Sequence, residues 1–423
     1  MSRLIDRSNG PTSGLLSAPE DILFILGLIA SGVNLVALMQ ARKLSSGYDD
    51  ELVKTTIFYI SHLAQIIFLM AAGVIAFFRK MRRSGNTNHR LAFGAYILAL
   101  IAMTINGYSF NDLFSLKIVA ATGPMPLLMS LLLYVGAWRR DWRLHDFVFK
   151  WVGLFTTLAI VFNVISLPSS DRIVVESYLW GYMQVYIWVV IWFFFRPSGK
   201  TRMEKVIRWG PFILYVLVAI LQQGRSRIIW SFLILVGYFY AIRRNNQSLV
   251  TGSMSLLLSI TIFILIVMLF ADESNYMNMF NEAGNALINR IDEDSRSDQF
   301  IKFFEEVSPW ELVLGRGAMA TWTWNRVVER TSLDNWWMTA LFIGGIPLVV
   351  GYFWVHVIPA WRRFKTAKNI NLVCAFIVLL WCVKLLLSEA PYFMLNTYLV
   401  LLCLGPCLAP PLGVNGMRNQ VRR

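Results

Sequence analysis

Charge is what this sequence has least of. Only 15% of its 423 residues are Asp, Glu, Lys or Arg, against roughly 25% in an average soluble domain. That deficit, with 57% hydrophobic residues, excludes an ordinary soluble globule. It also excludes a disordered chain, which needs the opposite composition. Cysteine and histidine number four each. Cys374, Cys382, Cys403 and Cys407 all fall in apolar stretches near the C-terminus. They read as small buried side chains, without the ligand spacing of a metal site or the framework of a disulfide-stapled fold. His89 and His145 fall in segments expected in the cytoplasm, and His356 near the cytoplasmic end of a span. Only His62 lies in an outer half, so no His and acid cluster predicts a metal site there. A G-x-x-x-x-G-K-[ST] loop is missing too, which argues against nucleotide-driven transport by this chain alone.

What the sequence has is apolar runs. A membrane-spanning helix needs about 20 mostly apolar residues. Twelve stretches qualify, at roughly 22–39, 55–78, 91–106, 118–137, 147–166, 178–195, 209–222, 228–242, 249–270, 336–357, 370–387 and 393–410. The pair around 209–242 also reads as one broken helix. The first stretch follows a polar N-terminal segment without a small-residue cleavage site, so a retained helix is expected and not a signal peptide. The predicted class is an all-α polytopic membrane protein. Spans one to nine fill 1–270, one long loop fills 271–335, and spans ten to twelve with a tail fill 336–423.

The formal net charge of +14 suggests nucleic acid in a soluble protein, but here it sorts by side. With the N-terminus in the cytoplasm, every short loop on that side is basic. It carries Arg79, Lys80, Arg82, Arg83 and Arg90, then Arg139, Arg140, Arg143 and Lys150. Arg196, Lys200, Arg202, Lys205 and Arg208 follow, then Arg243, Arg244, Arg362, Arg363, Lys365 and Lys368. The positive-inside rule therefore places both termini in the cytoplasm. The excess gives the orientation and does not imply a nucleic-acid partner.

The outer loops are short except 271–335. There, residues 297–307 place Phe300, Phe303, Phe304 and Val307 at the spacing of one helical face, with Ser295 or Ser297 as possible caps. A second amphipathic stretch, 318–328, carries Trp322 and Trp324. Both stretches are expected as helices lying against the membrane surface. A loop this long with internal structure is more often functional than a linker.

Basic residues on the outer side stand out because the rule removes them. Arg225 and Arg227 sit in a tight turn, Gln222-Gln223-Gly224-Arg225-Ser226-Arg227. Arg makes bidentate contacts with phosphate, so the turn reads as a clamp for a lipid-linked phosphate or diphosphate. It reads equally as side chains snorkelling to headgroups. The long loop adds Arg290, Arg296 and Arg316, the last flanked by Gly315 and Gly317. Those glycines permit close backbone approach to a ligand or simply make a turn. Asp334 and Asn335, at the entry to the tenth stretch, offer a general base or a helix N-cap. Lys384 and Glu389 lie near the outer end of the eleventh. An intramembrane lysine is costly unless paired or solvated, so Lys384 either lines the same cavity or snorkels.

In this order the motifs resemble the bacterial O-antigen polymerase and O-antigen ligase superfamily. Ser226-Arg227 before Ile228-Ile229-Trp230 resembles the family's helix-opening Ser-Arg pair, and Arg290 and Arg296 its loop arginines. Residues Trp310 to Gly317 resemble its hydrophobic run ending in Gly-x-Gly. Asp334-Asn335-Trp336-Trp337 with Gly344-Gly345-Ile346-Pro347 resembles its His-Asn and Gly-Ile element. The resemblance covers about 222–351, the earlier spans matching only in hydropathy. The loop 271–335 has no His, the base expected of a ligase, and this tilts the expectation toward a polymerase.

The resemblance implies a metal-independent and cofactor-free glycosyltransferase of the C-type fold in the bacterial inner membrane. It would join polyprenyl-diphosphate-linked oligosaccharide units into a surface polysaccharide, with membrane lipids around it and a chain-length regulator as a possible partner. In that reading Arg225, Arg227, Arg290, Arg296, Arg316 and Lys384 hold the diphosphate. Asp334 is the base with Glu389 in reserve, and Trp322 and Trp324 stack on sugar. The alternatives are a ligase transferring glycan to a lipid acceptor and a transporter or flippase of lipid-linked sugar. A transporter predicts an internal repeat between halves, and the 65-residue loop 271–335 has no counterpart in the first half.

Overall fold

The computed structural model describes residues 18–44, 56–81, 90–95, 97–98, 135, 143–168, 171–195, 202–222, 225–244, 282, 285, 295–316, 322–324, 328–330, 335–367, 369–386 and 395–408. Most of the third, fourth and ninth expected spans (91–106, 118–137 and 249–270) lies outside the described residues. The helices are α1 (Pro19–Leu44), α2 (Thr56–Met81), α3 (Arg143–Ile165), α4 (Arg172–Phe195), α5 (Arg202–Leu221) and α6 (Arg225–Arg244). They continue with α7 (Ser295–Glu306), α8 (Pro309–Leu314), α9 (Trp336–Thr366), α10 (Asn369–Lys384) and α11 (Leu395–Leu408). Between α8 and α9, β1 (Trp322–Trp324) pairs antiparallel with β2 (Val328–Arg330). Among the described residues, five helices, α1, α2, α3, α4 and α9, are long and apolar enough to cross a membrane. The apolar parts of α5, α6, α10 and α11 are shorter. The 209–242 region is two helices, not one broken helix.

The first pair is joined by polar contacts inside an apolar surface. Ser31 Oγ donates to Gln65 Oε1 (2.8 Å), and Asn34 Nδ2 to Phe58 O (2.9 Å). Gly27 lies directly against Leu69. Small residues and interhelical hydrogen bonds of this kind hold helices where lipid removes the hydrophobic drive, at about 0.6 kcal/mol per hydrogen bond. One end of the bundle is basic and tied by Arg79–Glu20 (2.7 Å), by Lys150–Asp146 (2.8 Å) and by Arg363 donating to Pro406 O. At the other end Arg42 and Lys43 lie over the rings of Trp180 and Tyr178, each at 4.1 Å. The cysteines are free and buried. His62 pairs with Gln65 at 2.9 Å, a helix contact.

Helix α4 is the centre. Its aromatic residues Tyr186, Trp188, Trp192 and Phe194 are fully buried. Trp188 meets Trp381 of α10 (5.7 Å), and Phe194 meets Trp209 of α5 and Tyr238 of α6. By contrast α2 and α3 expose Ile57, Ile60, Leu63, Leu158 and Phe162, a surface suited to lipid.

Helix α9 is not straight. Gly345 has φ 66° and ψ −169°, a backbone region open to glycine. A straight helix would hold residues 337 and 352 about 22 Å apart along its axis. Instead the rings of Trp337 and Tyr352 are 5.8 Å apart, and Trp336 is 6.3 Å from the same Tyr352. The chain therefore doubles back at Gly344-Gly345, with Pro347 opening the second arm, where its missing N–H is harmless. The first arm, 336–344, is largely buried. The second, 346–366, is about 31 Å long and matches the hydrocarbon thickness of about 30 Å.

The long loop differs in part from its expected form. The 297–307 stretch forms the helix α7, which buries Gln299 and Phe303 with Val307 just beyond it, whereas Phe304 is 51% exposed. The 318–328 stretch supplies a strand, not a helix: Trp322 faces Arg330 and Trp324 faces Val328 across the hairpin. The alternation of aromatic and β-branched residues favours that state.

Candidate functional site

The residues that meet at the heart of the bundle come from α4, α5, α6 and α10. Gln222 follows α5 directly, and α6 starts at Arg225. This short return brings Gln222 and Arg227 to one face. The guanidinium of Arg227 donates to Gln222 Oε1, and its backbone carbonyl accepts from Ser231 Oγ (3.0 Å). Tyr215, one helix back, lies within electrostatic reach of Arg227. On α10, Lys384 is 5% exposed. Its Nζ lies 5.4 Å from the Trp381 ring and 6.0 Å from the Trp188 ring, and it interacts electrostatically with Arg227. Half-buried Arg227 and buried Lys384 thus lie within electrostatic reach of each other beside an aromatic wall, where charge interactions are weakly screened.

The start of α9 closes the same region. Trp336 N–H donates to Leu385 O (2.7 Å) and Trp337 Nε1 to Cys382 O (3.0 Å). Asn335 caps the arm by accepting from Met338 N. The doubling back of α9 therefore sets the cap beside Lys384, at the depth of Tyr352.

A second cluster sits at the tip of the α9 hairpin. Gly315 has φ 82°, and a Cβ there would come within 2.7 Å of Gly344 C, Gly345 N and Ile343 O. Arg316 N–H donates to Phe342 O (2.7 Å), in the turn that Gly345 breaks. The Arg316 side chain meets Glu311 (3.2 Å) and Glu306 (3.8 Å). Helix α8 opens with a capping box, Ser308 N–H donating to Glu311 Oε2 (2.9 Å) and Ser308 Oγ accepting from Glu311 N. The Ser308 backbone donor, first, then its hydroxyl and the Arg316 charge hold the Glu311 carboxyl below its ordinary range, against partial desolvation.

Of the residues singled out in the sequence, Arg227 and Lys384 converge. Arg225 opens α6 and Arg296 lies in α7, their side chains outside the described residues, as is that of Trp324 in β1. Arg290, Asp334 and Glu389 lie outside the described residues. Arg316 sits at the hairpin tip among the carboxylates of Glu306 and Glu311. Trp322 is 1% exposed and packs on Phe303 (5.6 Å), so its ring fastens the hairpin to α7. Gln222 and Trp188 join the site without a distinguishing sequence signal: one is a polar turn residue, the other one of 16 tryptophans. Among the described residues, no group of three or more His, Cys, Asp or Glu is placed to hold a metal ion.

No family model, no curated protein and no solved structure matches the chain.

Proposed function

We propose that the chain is an integral-membrane glycosyltransferase that polymerises polyprenyl-diphosphate-linked oligosaccharide units at the outer face of a bacterial inner membrane. The observation that carries this reading is the convergence of Arg227 and Lys384 in a buried, aromatic-walled site. In a low-dielectric site, fixed cations stabilise charge developing on a leaving group, and a departing diphosphate develops such charge. The reading includes twelve spans with both termini in the cytoplasm.

In this reaction a hydroxyl of the acceptor sugar attacks the anomeric carbon of the donor. The bond from that carbon to the diphosphate oxygen breaks, and the diphosphate leaves with the electron pair. Arg227 and Lys384 hold the diphosphate, with Arg225, Arg290 and Arg296 as further contacts. Arg316 orders the loop against α9. Asp334 takes the hydroxyl proton, with Glu389 as the second candidate, and Trp324 guides sugar. Polymer length in cells carrying Arg227→Ala or Arg290→Ala tests the clamp. Shortened or missing polymer is expected, and full-length polymer from both variants at normal protein levels overturns it.

The broken helix α9 favours a second reading, a transporter of lipid-linked sugar, because transporters build their sites from discontinuous helices. Purified protein in vesicles with lipid-linked repeat units separates the two. New glycosidic bonds support the polymerase, and translocation without them supports the transporter.

A further inference from the structure

Gln222 is fully buried, and its amide has a definite orientation. A guanidinium only donates hydrogen bonds, so the oxygen of Gln222 faces Arg227 and its Nε2 faces away. That Nε2 is buried and meets no acceptor among the described residues. Trp188 repeats the situation on α4: its Nε1 is buried and meets no acceptor among the described residues, and its ring lies 6.0 Å from Lys384 Nζ. The electrostatic interaction of Arg227 with Lys384 joins these two pairs, so Trp188, Gln222, Arg227 and Lys384 form one set of donors. Buried donors are nearly always matched with acceptors, and a group rich in acceptor oxygens would complete this set.

We propose that Gln222 Nε2 and Trp188 Nε1 are neutral donors of the anion site that Arg227 and Lys384 make cationic, and that its ligand is a phosphate or diphosphate group. The inference deepens the diphosphate reading above and rests on it. Gln222 then has two roles: its oxygen positions Arg227 and its amide nitrogen binds the ligand. Trp188 offers one further N–H donor, from α4.

The test measures binding of farnesyl diphosphate, inorganic pyrophosphate and farnesol to the purified full chain in lipid nanodiscs. The variants are Gln222→Glu, which keeps the acceptor for Arg227 but turns the donor into an anion, and Trp188→Phe, which keeps a ring and loses the N–H. Wild-type protein is expected to bind farnesyl diphosphate and not farnesol. Each variant is expected to lose about 10- to 100-fold in affinity with an unchanged unfolding midpoint. Wild-type protein that binds neither diphosphate overturns both this inference and the reading beneath it. Wild-type binding with both variants unchanged overturns this inference alone. Inorganic pyrophosphate binding as tightly as farnesyl diphosphate, and lost in the variants, supports the inference but overturns the lipid-linked ligand. Should Gln222→Glu fail to fold, Trp188→Phe decides the matter by the same criteria.

Discussion

The rings of Trp337 and Tyr352, on the two arms of α9, meet edge to face, 5.8 Å apart at 89°. The contact exists because the chain reverses at Gly345, where a positive φ stops the helix. The reversal puts the buried first arm of α9 against α10 and leaves its tip for the loop to dock on.

Replacing the tip glycines should loosen that docking. Gly315→Ala and Gly345→Ala each place a methyl group against the facing backbone at a positive φ. A cost of about 1–3 kcal/mol is expected for such strain. Gly94→Ala, whose Cβ meets open space, serves as the control and should leave stability unchanged or slightly raised. Thermal unfolding midpoints in detergent, compared across the three variants, check this. Equal midpoints for all three would contradict the tip geometry.

Lys384→Met should separate stability from binding. The substitution removes a buried amine whose charged form is disfavoured first by burial and then by Arg227, and it keeps the length of the side chain. A raised unfolding midpoint is expected together with affinity for farnesyl diphosphate lower by about tenfold or more. Affinity equal to wild type would remove Lys384 from the site.

Acid should release the start of α8. The Glu311 carboxyl is held below its ordinary range, chiefly by the Ser308 N–H. A depressed carboxylate adds stability that is present above its unfolded value, about 4.3, and is lost as pH falls through the lower folded value. Hydrogen exchange across residues 309–316 should therefore change little between pH 7 and 5 relative to Glu311→Gln. Below about pH 4.3 the difference between the two proteins should close. A difference that persists at pH 2 would show that the carboxylate is not the source.

Cysteine labelling tests the orientation. All four native thiols are buried, so an added surface cysteine should dominate labelling in the intact protein. Glu305→Cys in the loop is expected to react with an impermeant maleimide in spheroplasts. Thr366→Cys, at the basic end, should react only after the membrane is opened. The reverse pattern would invert the assigned topology.

Much of the fold was legible from periodicity. The apolar runs at 22–39, 55–78, 147–166 and 178–195 correspond to α1 to α4, since hydrophobic length alone decides such helices. Short elements were less legible. Residues 322–324 form a strand because pairing with 328–330 and packing of Trp322 on Phe303 outweigh an amphipathic spacing that also fits a helix. The spacing of Phe300, Phe303, Phe304 and Val307 fits the helix α7, in which Phe303 is buried with Val307 just beyond it; that Phe304 is exposed is decided by packing. Arg227 and Lys384 were visible as cations in unexpected places; Gln222 and Trp188 were not.

The sequence by itself determined that the chain is helical and apolar, and it predicted basic residues in alternate loops. These follow from composition and from the cost of placing charge and unpaired backbone in lipid. It also held the Gly344-Gly345-Ile346-Pro347 break. Only the tertiary structure decided that this break reverses the chain, because a glycine permits a turn without dictating its angle. Packing of Trp336 and Trp337 on Tyr352 and Cys382 fixes that angle. Packing of α4 against α6 and α10 puts Arg227 and Lys384, 157 positions apart in the chain, within electrostatic reach of each other.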